Sequence, residues 1–167
     1  MSIRAEAARD RDSIRSVNTA AFGTPAEADL VDALRRHVQP IISLVAECDG
    51  QITGHILFSP VTLSGNPDLD IMGLGPMAVL PACQRQGIGS ALVHAGLDEC
   101  RQREKDAVVV LGHPDYYPRF GFSPASRFGI SCEFDAPDEA FMLLELRRGV
   151  LHGKTGTARY HAAFAAV

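Results

Sequence analysis

A short segment in the middle of the chain combines residue types that could bind an anion. Gln84, Gly87 and Gly89 follow Pro81, and Pro81 ends the preceding strand because proline has no N–H for ladder pairing. After Gly87 the apolar residues recur at helical spacing, which predicts that a helix begins there. The first N–H groups of a helix lack intrahelical acceptors and carry the positive end of its dipole. The segment therefore predicts a binding site for a phosphate or pyrophosphate.

Two common phosphate-binding fingerprints do not fit this segment. The dinucleotide pattern needs a third glycine at the sixth position, which is Leu92 when counted from Gly87, and no acidic residue ends a second strand where a ribose would need it. The loop that binds nucleoside triphosphates needs Gly-Lys-Ser or Gly-Lys-Thr, which is also absent. Neither cofactor class is predicted.

Composition limits the function classes. A chain of 167 residues with 46% hydrophobic and 22% charged residues has the size and composition of one globular domain, residues 1–167. A formal charge of −4 gives no general attraction to nucleic acid or to an anionic membrane. No apolar window is long enough for a signal peptide or a membrane span, so we expect a cytoplasmic protein. The four cysteines form no Cys-x-x-Cys pair, and no metal site is predicted.

The first half of the chain predicts a strand, two helices and three strands. Ile3 to Ala7 has strand character, and apolar residues at helical spacing predict helices over Asp10–Phe22 and Glu27–His37. Two runs rich in β-branched residues, 41–48 and 51–63, are joined by Asp49-Gly50, a strong hairpin signal. Residues 70–80 complete an antiparallel meander.

The second half predicts a helix that crosses to a parallel strand. A helix over Gly87–Arg103 leads to the continuous apolar run Ala107–Leu111, which is typical of a strand covered on both faces. A turn with at most a short helix follows, and segments 128–134 and 140–146 could form a closing hairpin. We expect the tail from Gly149 to pack as irregular structure.

The pattern Gln84-x-x-Gly87-x-Gly89 resembles the coenzyme A pyrophosphate loop of the GNAT superfamily of N-acetyltransferases. Tyr117 precedes Gly121-Phe122 by four positions, as the thiol-side tyrosine of that family does. The order of elements is similar to the whole GNAT fold, so the resemblance covers nearly the full chain. Segments 116–122 and 158–164 look like a bacterial subgroup of small predicted acetyltransferases. One family residue is missing, since Val109 stands where an asparagine is expected.

The resemblance implies a fold and a co-substrate. The fold is of the α/β (α+β) class, with a central mixed, splayed sheet of about six to seven strands and helices on both faces. Its strands form an antiparallel N-terminal meander and a parallel pair around the crossover helix. The co-substrate is acetyl-CoA, and no metal is needed. The resemblance places its binding at Met77, Ala78, Val79, Gln84, Arg85, Gln86, Gly87, Ile88, Gly89 and Ser90.

The resemblance also implies direct attack of an amine on the thioester. The leaving thiolate should have a pKa near 8.5, and a tyrosine near 10, so Tyr117 can protonate it without a strongly perturbed pKa. The ammonium must first lose a proton, and Glu27, Glu47 and His55 are candidate bases. Glu27 begins the second helix, where an acceptor would enter. Arg85 is the better candidate for a phosphate contact, whereas Arg119 fits a surface role equally well and Tyr116 fits a core aromatic.

Alternatives remain open at this point. The chain could transfer another acyl group, such as propionyl or succinyl, or it could be a non-catalytic module that senses coenzyme A. Acetylation of charged tRNA is disfavoured by the acidic pI of about 5.8. The acceptor is expected to be a small molecule or a peptide with an amine, and the acidic excess hints at a cation. A homodimer is possible, although no sequence feature fixes it.

Overall fold

The protein contains nine β-strands and three α-helices, in a computed structural model that describes residues 1–167. The chain divides into two compact units. The first comprises Met1–Ser59, Gly75–Glu99 and Ala162–Val167, and the second comprises Pro60–Leu74 and Cys100–His161. The assignment of residues 1–167 to a single domain stays a prediction.

The elements follow one another in the predicted order. They are β1 (Ser2–Ala5), α1 (Arg11–Phe22), α2 (Ala26–His37), β2 (Ile42–Cys48), β3 (Gln51–Leu63), β4 (Ile71–Val79), α3 (Ile88–Gln102), β5 (Ala107–Leu111), β6 (Ser123–Pro124), β7 (Ile130–Cys132), β8 (Phe141–Glu145) and β9 (Gly156–Arg159). The predicted class, mixed α/β with an antiparallel meander and a parallel pair, is confirmed. No helix is long and apolar enough to cross a membrane.

The meander follows the order β1-β2-β3-β4, and the first unit contains β1, β2, β3 up to Ser59 and β4 from Gly75. Strands β1 and β2, and β2 and β3, are antiparallel neighbours. Asp49 and Gly50 join β2 to β3 with φ values of 51° and 78°. Two positive φ values in a two-residue loop match the twist of the flanking strands, which explains why this dipeptide predicted the hairpin correctly.

Helices cover both faces of the meander in the first unit. Val17 of α1 and Val31 of α2 belong to one core cluster with Val45 of β2. On the other face, a Cβ atom built on Gly54 would lie 3.0 Å from side-chain atoms of Ile88 and Leu92 of α3. Because successive strand residues point to opposite faces, these contacts require helices on both sides of the sheet, as predicted.

The C-terminal tail also contributes to the first unit. Residues Ala162–Ala166 form a 3₁₀ helix. Phe164 packs against a cluster that contains Leu30 and Leu34 of α2 and Leu57 of β3. The tail therefore packs on α2 through apolar contacts.

The second unit contains the parallel pair. Ile71 to Leu74 of β4 pair in parallel with Ala107 to Val110 of β5. Strand β8 pairs antiparallel with β5 and with the two-residue strand β6. Strand β5 is buried from Ala107 to Val110, as its continuous apolar run predicted.

The predicted closing hairpin is wrong. Strand β7 does not pair with β8 but runs parallel to β9, and β9 pairs antiparallel with Thr62 and Leu63 of β3. The tail from Gly149 is thus partly a strand rather than wholly irregular. The predicted strand 128–134 is reduced to three residues, because a 3₁₀ helix extends to Phe128 and Gly129 has the left-handed φ of 73°. The sheet accordingly has more strands than the six or seven expected.

Candidate active site

The predicted pyrophosphate loop lies between β4 and α3 in the first unit. A 3₁₀ helix, Pro81–Cys83, follows the strand, and Arg85 and Gly87 have positive φ values of 62° and 87°. The first i→i−4 hydrogen bond of α3 runs from Ala91 N to Gly87 O, at 3.0 Å. The N–H groups of Ile88 and Gly89 therefore lie at the open, positive end of the helix.

The shape of this loop fits an anion. The loop residues from Gln84 to Gly87 are exposed, and a Cβ built on Gly87 would meet nothing within 4 Å. The positive φ at position 87 favours glycine, and the space around this residue is open for a ligand. The structure thus brings the predicted residues Gln84, Arg85, Gln86, Gly87, Ile88, Gly89 and Ser90 into one turn.

Two contacts hold the loop on the sheet. Gln84 Nε2 donates to Val79 O, the last residue of β4, at 3.0 Å. Ile88 is buried, with its Cγ2 against Gly54 of β3. The sequence suggested that both residues contact the cofactor, but in the structure their side chains face the protein. Gln84 and Ile88 thus shape the turn whose backbone faces solvent.

The end of β4 leaves its parallel partner. Pairing with β5 stops at Leu74, and residues 77–79 continue beyond it. Gly75 has a φ of 145°, a conformation that only glycine adopts readily. The backbone of Met77, Ala78 and Val79, which the resemblance assigned to acetyl-CoA binding, is therefore not paired to β5.

Tyr117 belongs to the second unit, where it begins a 3₁₀ helix ending at Phe120. Its ring is 7% exposed and packs edge-on against Phe122, with ring centroids 5.8 Å apart. Burial, with a smaller contribution from Tyr116, raises the pKa of Tyr117 well above its ordinary value. The expectation of a nearly unperturbed pKa is therefore wrong. Tyr117 stays protonated at neutral pH, as a donor must, although proton transfer to a thiolate becomes less favourable.

The neighbours of Tyr117 have structural roles. Tyr116 packs edge-on against Tyr117, with centroids 5.1 Å apart. The guanidinium of Arg119 stacks over the Tyr116 ring at 4.5 Å, and its Nε donates to Tyr116 O at 2.9 Å. These contacts fix Arg119 locally, so the geometry favours the surface interpretation over a phosphate contact. Val109, which replaces the family asparagine, is fully buried in the core of the second unit.

The three candidate bases differ in access. Glu27 is half-buried in the first turn of α2. Glu47 receives a hydrogen bond from Arg4 at 2.9 Å and lines a cavity of about 520 Å³ together with residues of α1 and Leu80. His55 is completely buried. Only Glu27 and Glu47 can therefore reach a solvent-borne acceptor.

His55 is enclosed by hydrogen bonds. Its Nδ1 lies 3.2 Å from Asn18 Nδ2 and its Nε2 lies 2.9 Å from Ser43 Oγ. Ser43 also bonds to Glu6, which Arg35 contacts through two nitrogens at 3.0 and 3.1 Å. Burial, followed by the positive charge of Arg35, lowers the pKa of His55 to about 3. His55 is thus a neutral core residue that a solvent-borne acceptor cannot reach.

No group of three or more His, Cys, Asp or Glu side chains is arranged to hold a metal ion. All four cysteines are free thiols. The candidate groups are therefore the loop, Glu27 and Glu47 in the first unit and Tyr117 in the second.

Comparison with known proteins identifies the family. A family model described as an acetyltransferase (GNAT) domain matches residues 2–125. The Escherichia coli K12 protein named uncharacterized N-acetyltransferase YhbS is 38% identical over 165 residues, which are 98% of each chain. The E. coli K12 protein named uncharacterized N-acetyltransferase YjhQ is 41% identical over 134 residues, 78% of this chain and 74% of that protein.

Two solved structures are similar over nearly the whole chain. A structure of E. coli YhbS in complex with CoA has a TM-score of 0.92 and 36% identity, covering 98% of this chain and 91% of that one. A GNAT family acetyltransferase from Brucella melitensis in complex with acetyl-CoA has a TM-score of 0.80 and 39% identity, covering 98% and 97%. The predicted family and enzyme class are confirmed: this chain belongs to the GNAT family of N-acetyltransferases, whose acyl donor is acetyl-CoA.

Proposed function

We propose that the chain transfers the acetyl group of acetyl-CoA directly to an amine of a small molecule or peptide. The observation that carries this proposal is the open turn at Gly87, with the N–H groups of Ile88 and Gly89 at the start of α3. Such a turn suits a pyrophosphate, because backbone donors and the helix dipole both favour negative charge. The relatives crystallised with CoA and acetyl-CoA support the same ligand.

The end of β4 would hold the pantetheine arm. Met77 to Val79 lie beyond the last residue paired with β5, so their N–H and C=O groups on that side are available to an extended ligand. A strand N–H aimed at the thioester oxygen would stabilise the negative charge that develops on attack. Removing one such donor costs about 3 kcal/mol in well-studied acyl transfer enzymes.

In the proposed reaction the acetyl group passes directly from sulfur to nitrogen. The acceptor ammonium loses a proton to Glu27, directly or through water, and its nitrogen forms a bond to the thioester carbon. The nitrogen releases a second proton to solvent as it becomes the amide. The carbon–sulfur bond breaks, and its electron pair goes to sulfur. The Tyr117 hydroxyl donates its proton to that thiolate and is later reprotonated from solvent. The products are an N-acetylated amine and coenzyme A with a free thiol.

Replacement of Tyr117 by phenylalanine tests the proton donor. Phenylalanine keeps the packing against Phe122 and Tyr116 and removes only the hydroxyl. We expect turnover to fall by about 100-fold, the lower range for general acid catalysis, while acetyl-CoA affinity stays within a factor of about two.

The assay follows release of the free CoA thiol from acetyl-CoA. Spermidine, glucosamine and a peptide with a free α-amine serve as acceptors, and water gives the background rate. Tyr116→Phe is the matched control, because Tyr116 is adjacent in sequence but was assigned a packing role. If the Tyr117→Phe protein turns over at the wild-type rate, Tyr117 is not the donor.

A further inference from the structure

Gly112 lies immediately after β5, and its backbone does not require glycine. Its φ lies outside the positive range in which glycine is favoured, unlike ten other glycines of this chain. Its N–H donates to Ala140 O at 2.9 Å, a bond that any residue other than proline could make. The reason for a glycine here must therefore be spatial.

The space beside Gly112 is filled by Tyr117. A Cβ atom built on Gly112 would lie 3.0 Å from Tyr117 Cδ2 and would overlap Cε2 of the same ring. The three nearest atoms to that Cβ all belong to this ring. Even the methyl group of alanine at position 112 would thus collide with the ring of Tyr117. No other residue lies closer to that methyl group.

The ring has little freedom to move away. Tyr116 and Phe122 pack against it edge-on, with interplanar angles of 85° and 76°. The overlap falls on one edge of a rigid, buried ring rather than on the end of a flexible chain, so a displacement of the ring carries the hydroxyl with it.

We propose that Gly112 is a positioning residue for Tyr117: the absence of a side chain there sets the position of the Tyr117 hydroxyl. This inference rests on the proposed function, in which that hydroxyl protonates the leaving thiolate. Nearby Gly121 differs, because it closes the turn after Phe120 with a φ of 100° and its built Cβ meets only Leu144, at 3.2 Å.

The test compares Gly112→Ala with Gly73→Ala. A Cβ on Gly73 would lie 2.8 Å from atoms of Tyr160 and Val61, so this variant introduces similar crowding in the same unit without touching Tyr117. Ring resonances of labelled tyrosines are recorded by NMR and assigned with the Tyr117→Phe protein. We expect Gly112→Ala to shift the Tyr117 resonances and Gly73→Ala to leave them in place.

Kinetics provide the second readout. Gly112→Ala should lower turnover by about 100-fold, the cost expected for a misplaced catalytic group, with acetyl-CoA affinity unchanged. The assay uses the fastest amine of the panel above, or hydrolysis by water if none exceeds the background. Gly73→Ala should keep turnover within a factor of about three of wild type.

A double-variant cycle separates positioning from general damage. In a Tyr117→Leu background the ring is gone, so Gly112→Ala should then change turnover by less than about twofold and should fold without a clash. An equal loss of turnover in both backgrounds, or unshifted Tyr117 resonances in Gly112→Ala, would overturn the inference. Full activity of the Tyr117→Phe protein would be a different result, because it would refute the role of Tyr117 as proton donor.

Discussion

At the scale of single residues, the buried His55 shows how hydrogen bonds set a protonation state. The Asn18 amide also donates to Ile14 O, at 3.0 Å, so its nitrogen faces Nδ1 of His55 as a donor. Nδ1 must therefore be an unprotonated acceptor, and Nε2 carries the hydrogen that Ser43 Oγ accepts. The neutral imidazole is the form that the surrounding groups stabilise.

This arrangement predicts a pH dependence of stability. The pKa of His55 is about 3 in the folded protein and about 6.5 in the unfolded chain. Between these values the unfolded chain binds a proton that the folded protein does not, so stability falls as pH decreases below 6.5. The expected slope is about 1.4 kcal/mol per pH unit.

Urea unfolding at pH 7.5, 6.5, 5.5 and 4.5 measures this slope, because these values span the unfolded-chain pKa of about 6.5 and stay above the folded-state pKa of about 3. A His55→Gln protein should lose this component of the slope, even if it is less stable at every pH. His152→Gln is the matched control, because it makes the same substitution at an exposed position on a turn. Equal slopes in the wild type and His55→Gln would contradict the assignment.

At the scale of elements, the loop between β4 and α3 depends on one side-chain contact. Gln84 Nε2 donates to Val79 O and so fixes the turn to the end of the strand. Replacing Gln84 by alanine removes this bond, worth about 1 kcal/mol, and frees the turn. We expect acetyl-CoA to bind about five- to tenfold more weakly, because ordering the loop then costs part of the binding energy.

Calorimetric titration with acetyl-CoA checks this prediction. Gln102→Ala is the matched control, since Gln102 is exposed at the other end of α3. Wild-type affinity in the Gln84→Ala protein would show that this hydrogen bond does not organise the loop.

Sequence reasoning succeeded for elements whose signals are local. Asp49-Gly50 specifies its own turn, and Pro81 with Gly87 marks the end of β4 and the start of α3. The pairing of β7 with β9 could not be predicted in this way, because the partner of a three-residue strand is set by long-range packing. The same limit applies to Gly112, since only the structure shows the ring of Tyr117 beside it.

Burial decides which of the candidate bases solvent can reach, and sequence pattern predicts burial poorly. Both faces of β3 are covered at His55, so this side chain is buried. In a strand with one face open to solvent, the same side chain could have been accessible. Glu27 and Glu47 remain accessible because one lies in the first turn of α2 and the other near the end of β2. The sequence singled out Glu27 by its place at the start of the second helix, but it did not distinguish the accessible Glu47 from the buried His55.

At the scale of the whole molecule, family membership extends beyond the segment that the family model matches. That model ends at residue 125, whereas the similarity to YhbS covers 98% of the chain. The part beyond residue 125 includes β8, which pairs with β5, and the tail segment that packs on α2. The last quarter of the chain therefore contributes to the core of each unit.

The most direct test of the central claim is calorimetric titration with acetyl-CoA of the wild type, Gly87→Trp and Gly65→Trp. Gly87 and Gly65 both have positive φ, 87° and 75°, and open space around a built Cβ, so the two tryptophans cost the fold similarly. We expect the wild type and Gly65→Trp to bind with a dissociation constant on the order of micromolar, about −8 kcal/mol. Gly87→Trp should not bind, because its side chain fills the space above the start of α3. Absence of acetyl-CoA binding to the folded wild type, or equal binding by Gly87→Trp, would contradict the account.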